Sequence, residues 1–223
     1  MAQIKSWHIH DKIFFVNEQK YIAVNFPDLH FKVENGYVFL IGTIHISANI
    51  NDKIISDNFW LKIKFPPNYP HMYPTVFEPR HKIPSDFHTN PDYSLCLGTE
   101  IEISQIFFQQ NSIGVFLNKL VIPYLLGFAY HRDYNEFPFG ERGHGLKGKL
   151  EFYNELFNTK NISKIIKFLS LAEKDKLRGH CICPCQSGEK LRNCHWKVIH
   201  NLMTIPKSLI RKEIAEFRKH SIS

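Results

Sequence analysis

The sequence has one cysteine, Cys96, outside its C-terminal segment, and no glycine-rich phosphate loop of either common kind. Without a P-loop or a dinucleotide glycine motif, the chain has no recognisable means of adenylating a carboxylate itself. Residues 1–10 are polar and lack an apolar core segment, so no export signal is expected. The most apolar stretch, residues 113–130, is interrupted by Asn118, Lys119 and Pro123, and no membrane span is expected. A cytoplasmic protein in a reducing compartment is therefore expected. In that setting cysteines serve as metal ligands or catalysts rather than as disulfides. Internal repeats and low-complexity tracts are also lacking.

The 223 residues are enough for one ordinary domain with a small appendage. With 43% hydrophobic and 22% charged residues the composition is globular, and 19 phenylalanines favour strands around a well-filled core. The formal net charge is +7. From Glu189 onward eight Lys or Arg stand against three acids, which reads first as the solvated face of a helix. Nucleic-acid binding through this basic tail ranks last among the functional readings, because no basic groove interleaved with aromatics is visible.

Residues 8–24 carry a helical stripe that ends at Pro27. The period then changes to two. Phe31 and Val33 lead into an Asn35-Gly36 hairpin turn, and Val38, Leu40, Gly42, Ile44 and Ile46 share the next strand's face. A third strand is expected over residues 58–65, with Phe59, Leu61, Ile63 and Phe65 on one face, and a short fourth over 75–77. Four strands joined in sequence order predict an antiparallel meander in an α+β fold. Residues 66–95 read as a long ordered loop, the kind that carries function. Helices follow: one from a Ser112 or Asn111 cap, one over 149–158, and one from Ser163 to about Leu177 with Asn161 as cap candidate. The domain boundary is placed at 158, giving domains 1–158 and 159–223.

The tail reads CPCQSGEKLRNCH. Cys183, Cys185, Cys194 and His195 are a closed set of four soft or borderline ligands, which suits structural zinc and leaves no open position for substrate. Gln186-Ser187-Gly188 is the turn that brings the two halves together. His180 and Cys181 read as neighbours of the set. The segment resembles the SEC-C motif, with Gln186 in place of the usual glycine, and the resemblance implies a small docking module for protein or nucleic acid.

Cys96 follows the ordered loop, and the residues around it form a pattern. Phe65-Pro66-Pro67-Asn68-Tyr69-Pro70 leads to His88-Thr89-Asn90 and then to Ser94-Leu95-Cys96-Leu97. This order is similar to that of ubiquitin-conjugating enzymes over residues 10–158. The family's central proline is Thr89 here, and Asn90 lies closer to the cysteine than is usual. The resemblance implies a conjugating-enzyme-like fold with Cys96 as thioester acceptor, Asn90 as donor to the tetrahedral oxyanion, and His88 orienting the loop or assisting deprotonation. Asn90 could equally brace the loop. Asp92 and Glu100 could ease proton loss from an incoming amine, and His144 could approach the site. The resemblance is to the divergent bacterial relatives. It implies a setting in antiviral defence, an activating enzyme or activated ubiquitin-like protein as partner, and a protein substrate such as a cyclic-nucleotide synthase. Two other classes compete: a non-catalytic binding scaffold, and a cysteine hydrolase in which Cys96 works with His131 or His144 and Asp133 or Glu141.

Overall fold

Alternating apolar residues from Leu29 onward build a sheet. In the computed structural model, which describes residues 6–143 and 145–220, β1 (Leu29–Glu34), β2 (Tyr37–Ile50), β3 (Lys53–Lys64) and β4 (Thr75–Phe77) pair antiparallel in that order. The fold is α+β, with helices before and after the sheet. Asn35 and Gly36, both at positive φ, turn β1 into β2. Asn51 and Asp52, at φ 50° and 61°, turn β2 into β3, so β3 begins at Lys53, earlier than the expected Asn58. Asn and Asp tolerate the left-handed region, but without glycine the pair is a weak signal. One face of the sheet is buried: Val38, Leu40, Ile44, Phe59, Leu61 and Ile63 are at most 1% exposed. Gly42 interrupts this row because the Asp28 carbonyl would lie 1.9 Å from a Cβ there.

The chain divides into two compact units: Met1–Leu97 with Gln110–Gly140, and Gly98–Gln109 with Glu141–Ser223. In the first, α1 (Trp7–His10) and α2 (Lys12–Asn25) precede the sheet. Trp7 is buried, its indole 4.7 Å from the Tyr69 ring and 5.3 Å from Phe65 between centroids. After the ordered loop, the Ser112 hydroxyl caps α4 (Ile113–Phe116) by accepting from Val115 N–H. α4 runs through a π turn at Leu117–Val121 into α5 (Ile122–Tyr134). Pro123 has no N–H to offer and its ring would crowd the carbonyl four residues back, and the wider turn just before it accommodates both.

The interruptions at Asn118, Lys119 and Pro123 therefore do not break the helix. Ile113–Tyr134, 22 residues, is the one helical run among the described residues long and apolar enough to cross a membrane. More than half of its most apolar window is buried, and α5 packs on β2 and β3, as a core helix does. The α4 start is also held by Glu18 of α2, a buried carboxyl that accepts from Ile113 N–H at 2.9 Å and from the Tyr69 hydroxyl at 3.4 Å. Burial pushes this carboxyl up to about 7 against those two hydrogen bonds.

The second unit is helical: α3 (Glu100–Phe107), α6 (Gly145–Phe157), α7 (Ile162–Ala172), α8 (Trp196–Leu202) and α9 (Lys207–His220). Thr99 and Glu102 form a capping box on α3, and Asn161 caps α7 through Lys164 N–H. α7 stops at Ala172, short of the expected Leu177, where the Lys207 ammonium takes the carbonyls of Ala172 and Lys174. Tyr153, Phe157, Phe168, Leu169 and Phe217 form the core, with Phe157 and Phe168 stacked at 4.1 Å. Glu213 is buried among them and is met by the Lys149 ammonium at 2.8 Å and the Tyr153 hydroxyl at 3.3 Å. Residues 141–158, grouped by the sequence with the first domain, belong to this unit. The basic residues Arg211, Lys212, Arg218 and Lys219 of α9 are exposed, the solvated helical face the sequence suggested, while Leu209, Ile210, Ile214 and Phe217 of the same helix are buried.

Candidate functional sites

Cys96 sits at the end of a short two-stranded ribbon. Asn90-Pro91-Asp92-Tyr93 makes a turn closed by Tyr93 N–H to the Asn90 carbonyl at 2.9 Å, with proline at its second position. Tyr93 at φ 64° adds the left-handed residue that joins such a turn to a hairpin. The strands then pair: Asn90 N–H to Ser94 O at 2.8 Å, Thr89 opposite Leu95, and Cys96 N–H to His88 O at 2.7 Å. Leu95 N–H also donates to Val76 O, tying the ribbon to β4. Cys96 is half-buried.

Period-two alternation turns Ser94 and Cys96 to one side of the ribbon and Leu95 to the other. The Asn90 side-chain amide donates to Ser94 Oγ at 3.0 Å, and Ser94 donates to Asp92 Oδ1 through both its hydroxyl and its N–H. These two bonds hold the Asp92 carboxyl below the usual range. The Asn90 amide thus braces the turn in this structure. His88 lends its carbonyl to Cys96, while its ring packs edge-on against Phe87 and Phe137. On the Leu95 side a cavity of about 600 Å³ opens, walled by Phe77, Ile83, Pro84, Tyr93 and Leu95. The cavity loop is organised by Glu78, whose carboxylate accepts the N–H groups of Arg80, Lys82 and Ile83.

Tyr124 of α5 is the residue the sequence did not single out. It fits the apolar stripe, but its hydroxyl points at the ribbon and donates toward the carbonyls of Phe87 at 3.1 Å and His88 at 3.2 Å. The same His88 carbonyl receives Cys96 N–H, so α5, His88 and Cys96 are linked in series. Burial raises the phenol above its ordinary range, a hydrogen bond from Thr89 opposes the rise, and the nearby Cys96 thiolate adds to it. The available signal was a hydroxyl in an otherwise apolar stripe, because a buried Tyr hydroxyl must find a partner. His131 stacks on Phe137 at 4.2 Å and its Nδ1 is buried without a hydrogen-bond partner. Both carboxylate oxygens of Asp133 turn to Arg132, so the two do not form a His-acid pair through Nδ1. Glu141 and Glu100 fall in the second unit, and His144 lies outside the described residues.

In the second unit the donor atoms of Cys183, Cys185, Cys194 and His195 all lie within 4.8 Å of one another and could hold a metal ion. Residues 179–183 run antiparallel to 189–192, with Ile182 opposite Lys190, Cys183 N–H on Glu189 O and Leu191 N–H on Cys181 O. Gln186, at φ 69°, takes the left-handed position where the motif usually has glycine. The separations are 3.5 Å for Cys185 Sγ to Cys194 Sγ, 3.2 Å for Cys183 Sγ to His195 Nδ1, and 3.0 Å for Cys194 Sγ to His195 Nδ1. A tetrahedron with metal–sulfur bonds of about 2.3 Å has edges of about 3.8 Å, so this set needs only slight expansion to close on zinc. His195 approaches through Nδ1. Burial lowers the His195 imidazole below its ordinary range, and the Phe157 backbone opposes the fall. Burial pushes the Cys183 thiol up to about 12; Cys185 is held down at about 7, where hydrogen bonds from Ser187 outweigh its burial. The Cys181 sulfur bonds the Arg178 carbonyl and His180 meets Arg192, so neither joins the four.

Compared with protein-family models, curated proteins and solved structures, the chain matches none.

Proposed function

We propose that the first unit is a ubiquitin-conjugating-enzyme-like transferase in which Cys96 carries a protein C-terminus as a thioester, and that the second unit holds structural zinc in a SEC-C-type cluster. The observation that carries the reading is the ribbon. It pairs the His88-Thr89-Asn90 segment with Ser94-Leu95-Cys96 and presents a half-buried thiol at a braced edge. In the first step Cys96 Sγ attacks the carbonyl carbon of an activated acyl group, a new C–S bond forms, and the donor's thiolate leaves. In the second an amine attacks the same carbon, its proton passes to a base or to solvent, the amide forms, and the Cys96 thiolate departs. The oxyanion needs a neutral donor. Asn90 fills that role by swinging from Ser94, whose hydroxyl keeps its own hydrogen bond to Asp92. Zinc would supply cross-linking alone, since four protein ligands leave it no open position. A cytoplasmic setting beside an activating enzyme, in antiviral defence with a cyclic-nucleotide synthase among the substrates, rests on the resemblance.

A binding scaffold without turnover is the second reading, favoured by the commitment of the Asn90 amide to Ser94. One experiment separates them. The natural protein, Cys96→Ser and Cys96→Ala are expressed in their own cells with the neighbouring genes, and adducts are sought on non-reducing gels and by mass spectrometry. A reductant-labile adduct on the natural protein, stabilised by Ser and missing in Ala, is expected. No adduct on any version of the folded, zinc-loaded protein would sink the transferase reading in favour of the scaffold.

A further inference from the structure

The cavity beside the Cys96 ribbon takes no part in the proposed transfer. Its apolar walls, Phe77, Ile83 and Leu95 with the rings of Pro79 and Pro84, surround about 600 Å³, a volume in the range of small-molecule sites. The loop that forms it is braced by its own hydrogen bonds. Glu78 accepts three backbone N–H groups of that loop. The Lys82 ammonium bonds the Asn58 carbonyl at 2.8 Å and pairs with Asp57. The Thr89 hydroxyl donates to the Phe87 carbonyl at 2.9 Å.

The polar lining is one-sided. Glu78 is the one acid among the lining residues, and the three N–H groups already occupy its carboxylate. What remains is rich in donors. Lys62, opposite Phe77 in the β3–β4 register, reaches Glu34 at 3.3 Å, a carboxylate that Lys32 already holds at 2.6 Å. The side chains of His81, Ser85 and Tyr93 make no hydrogen bond or ion pair among the described residues. An apolar body with an anionic acceptor head answers such a lining, whereas a cation would meet Lys62 and no free carboxylate. Phe77 and Tyr93 suit an aromatic body, since rings pair edge to face or offset. We propose that the cavity binds a small aromatic monocarboxylate, with its head on Lys62, and that this ligand is an effector of Cys96. Thr89, Tyr93 and Leu95 line the cavity and belong to the Cys96 ribbon, so a bound ring restrains the strand that carries the thiol. The binding stands whether or not Cys96 carries a thioester.

The probe is naphthylacetate, with naphthylethanol and naphthylethylamine as controls carrying the same ring. Each is titrated into the full-length, isotope-labelled protein and followed by NMR. The amide signals of Ile83, Thr89, Tyr93 and Leu95 should shift saturably with the acid, with a Kd of about 1 mM or tighter for a ligand of this size. The alcohol should bind about tenfold more weakly, and the amine more weakly still. Lys62→Gln should weaken the acid about fivefold to tenfold and the alcohol less than about twofold. Tyr93 is exposed and sits at φ 64°, a backbone that asparagine tolerates, so Tyr93→Asn should keep the fold. That variant should weaken acid and alcohol alike by about fivefold to tenfold. At saturation with the acid, iodoacetamide should alkylate Cys96 about threefold more slowly than in the free protein. Shifts that do not saturate by about 10 mM would overturn the site. Amine binding as tight as the acid's, or a Lys62→Gln loss equal for acid and alcohol, would overturn the carboxylate assignment. An alkylation rate unmoved at saturation would overturn the effector role.

Discussion

The two units keep their shape by different means. The first balances eleven cations against eleven anions and covers a four-stranded sheet with helices; its single cysteine is on a ribbon at the edge of a loop. The second carries a surplus of seven positive charges, places four cysteines within fourteen residues of one another, and has helices where the first has a sheet. Its ribbon, residues 179–192, has a single short ladder and an exposed Ile182. Such a segment cannot bury enough apolar surface to order itself, and a metal cross-link is the usual remedy in small modules. The comparison teaches that a cysteine's role follows from what the surrounding chain already provides: in the first unit the backbone is held without it, and in the second the cysteines converge where a metal ion could hold the backbone.

The largest expected effect breaks the comparison at that point. If the cluster holds zinc as proposed, a chelator, or Cys185→Ser, should release most of the order of residues 179–202 and leave the sheet intact. Metal binding in such sites is linked to folding by on the order of 10 kcal/mol. Hydrogen exchange read by peptide should show protection lost through α8 and the ribbon while β2 and β3 exchange as before. Equal loss in both units would show that the metal is not a local cross-link.

A smaller effect lies in the first unit and depends on pH. Burial raises the Glu18 carboxyl to about 7 from 4.5 in the unfolded chain. A group held protonated by folding contributes stability that is full below the unfolded value and is lost as pH rises toward the folded one. The first unit should therefore lose on the order of 2 to 3 kcal/mol between about pH 4.5 and pH 7 from this group, and change little above. Glu18→Gln keeps an acceptor for Ile113 N–H and removes the ionisation. Urea midpoints across pH 5 to 8 should be flatter in that variant and higher at pH 8 by the same amount; a profile identical to the natural protein's would show that Glu18 is not the titrating group.

Much of this was legible beforehand, for reasons that differ by element. The strand faces through Val38, Leu40, Phe59 and Ile63 were visible because a half-buried sheet writes its period directly into the chain. Ser112 and Asn161 were visible as caps because a short polar side chain before an apolar stripe has one obvious use. The four-residue cluster was visible because ligand chemistry is confined to a few residue types. What escaped was set by tertiary contact: the Asn51-Asp52 turn, the burial of α9, the assignment of residues 141–158 to the second unit, and the pairing of His88-Thr89-Asn90 with Ser94-Leu95-Cys96 across a turn whose left-handed residue is a tyrosine.

Tyr124 gives the finest test of the contrast, because it asks whether the Cys96 ribbon is held by its own turn or by the helix behind it. The phenol hydroxyl holds the His88 carbonyl that receives Cys96 N–H. Tyr124→Phe removes that hydroxyl and keeps the ring against Phe87, so stability should drop by only about 1 kcal/mol. The ribbon would gain freedom, and the rate at which iodoacetamide alkylates Cys96 should change by about threefold to tenfold. Alkylation at the natural rate would mean that the Asn90–Ser94 turn holds the thiol alone, and Tyr124 would then be a packing residue of α5. A change in rate with a stability loss no larger than about 1 kcal/mol would make it the positioning residue through which the helix sets the thiol.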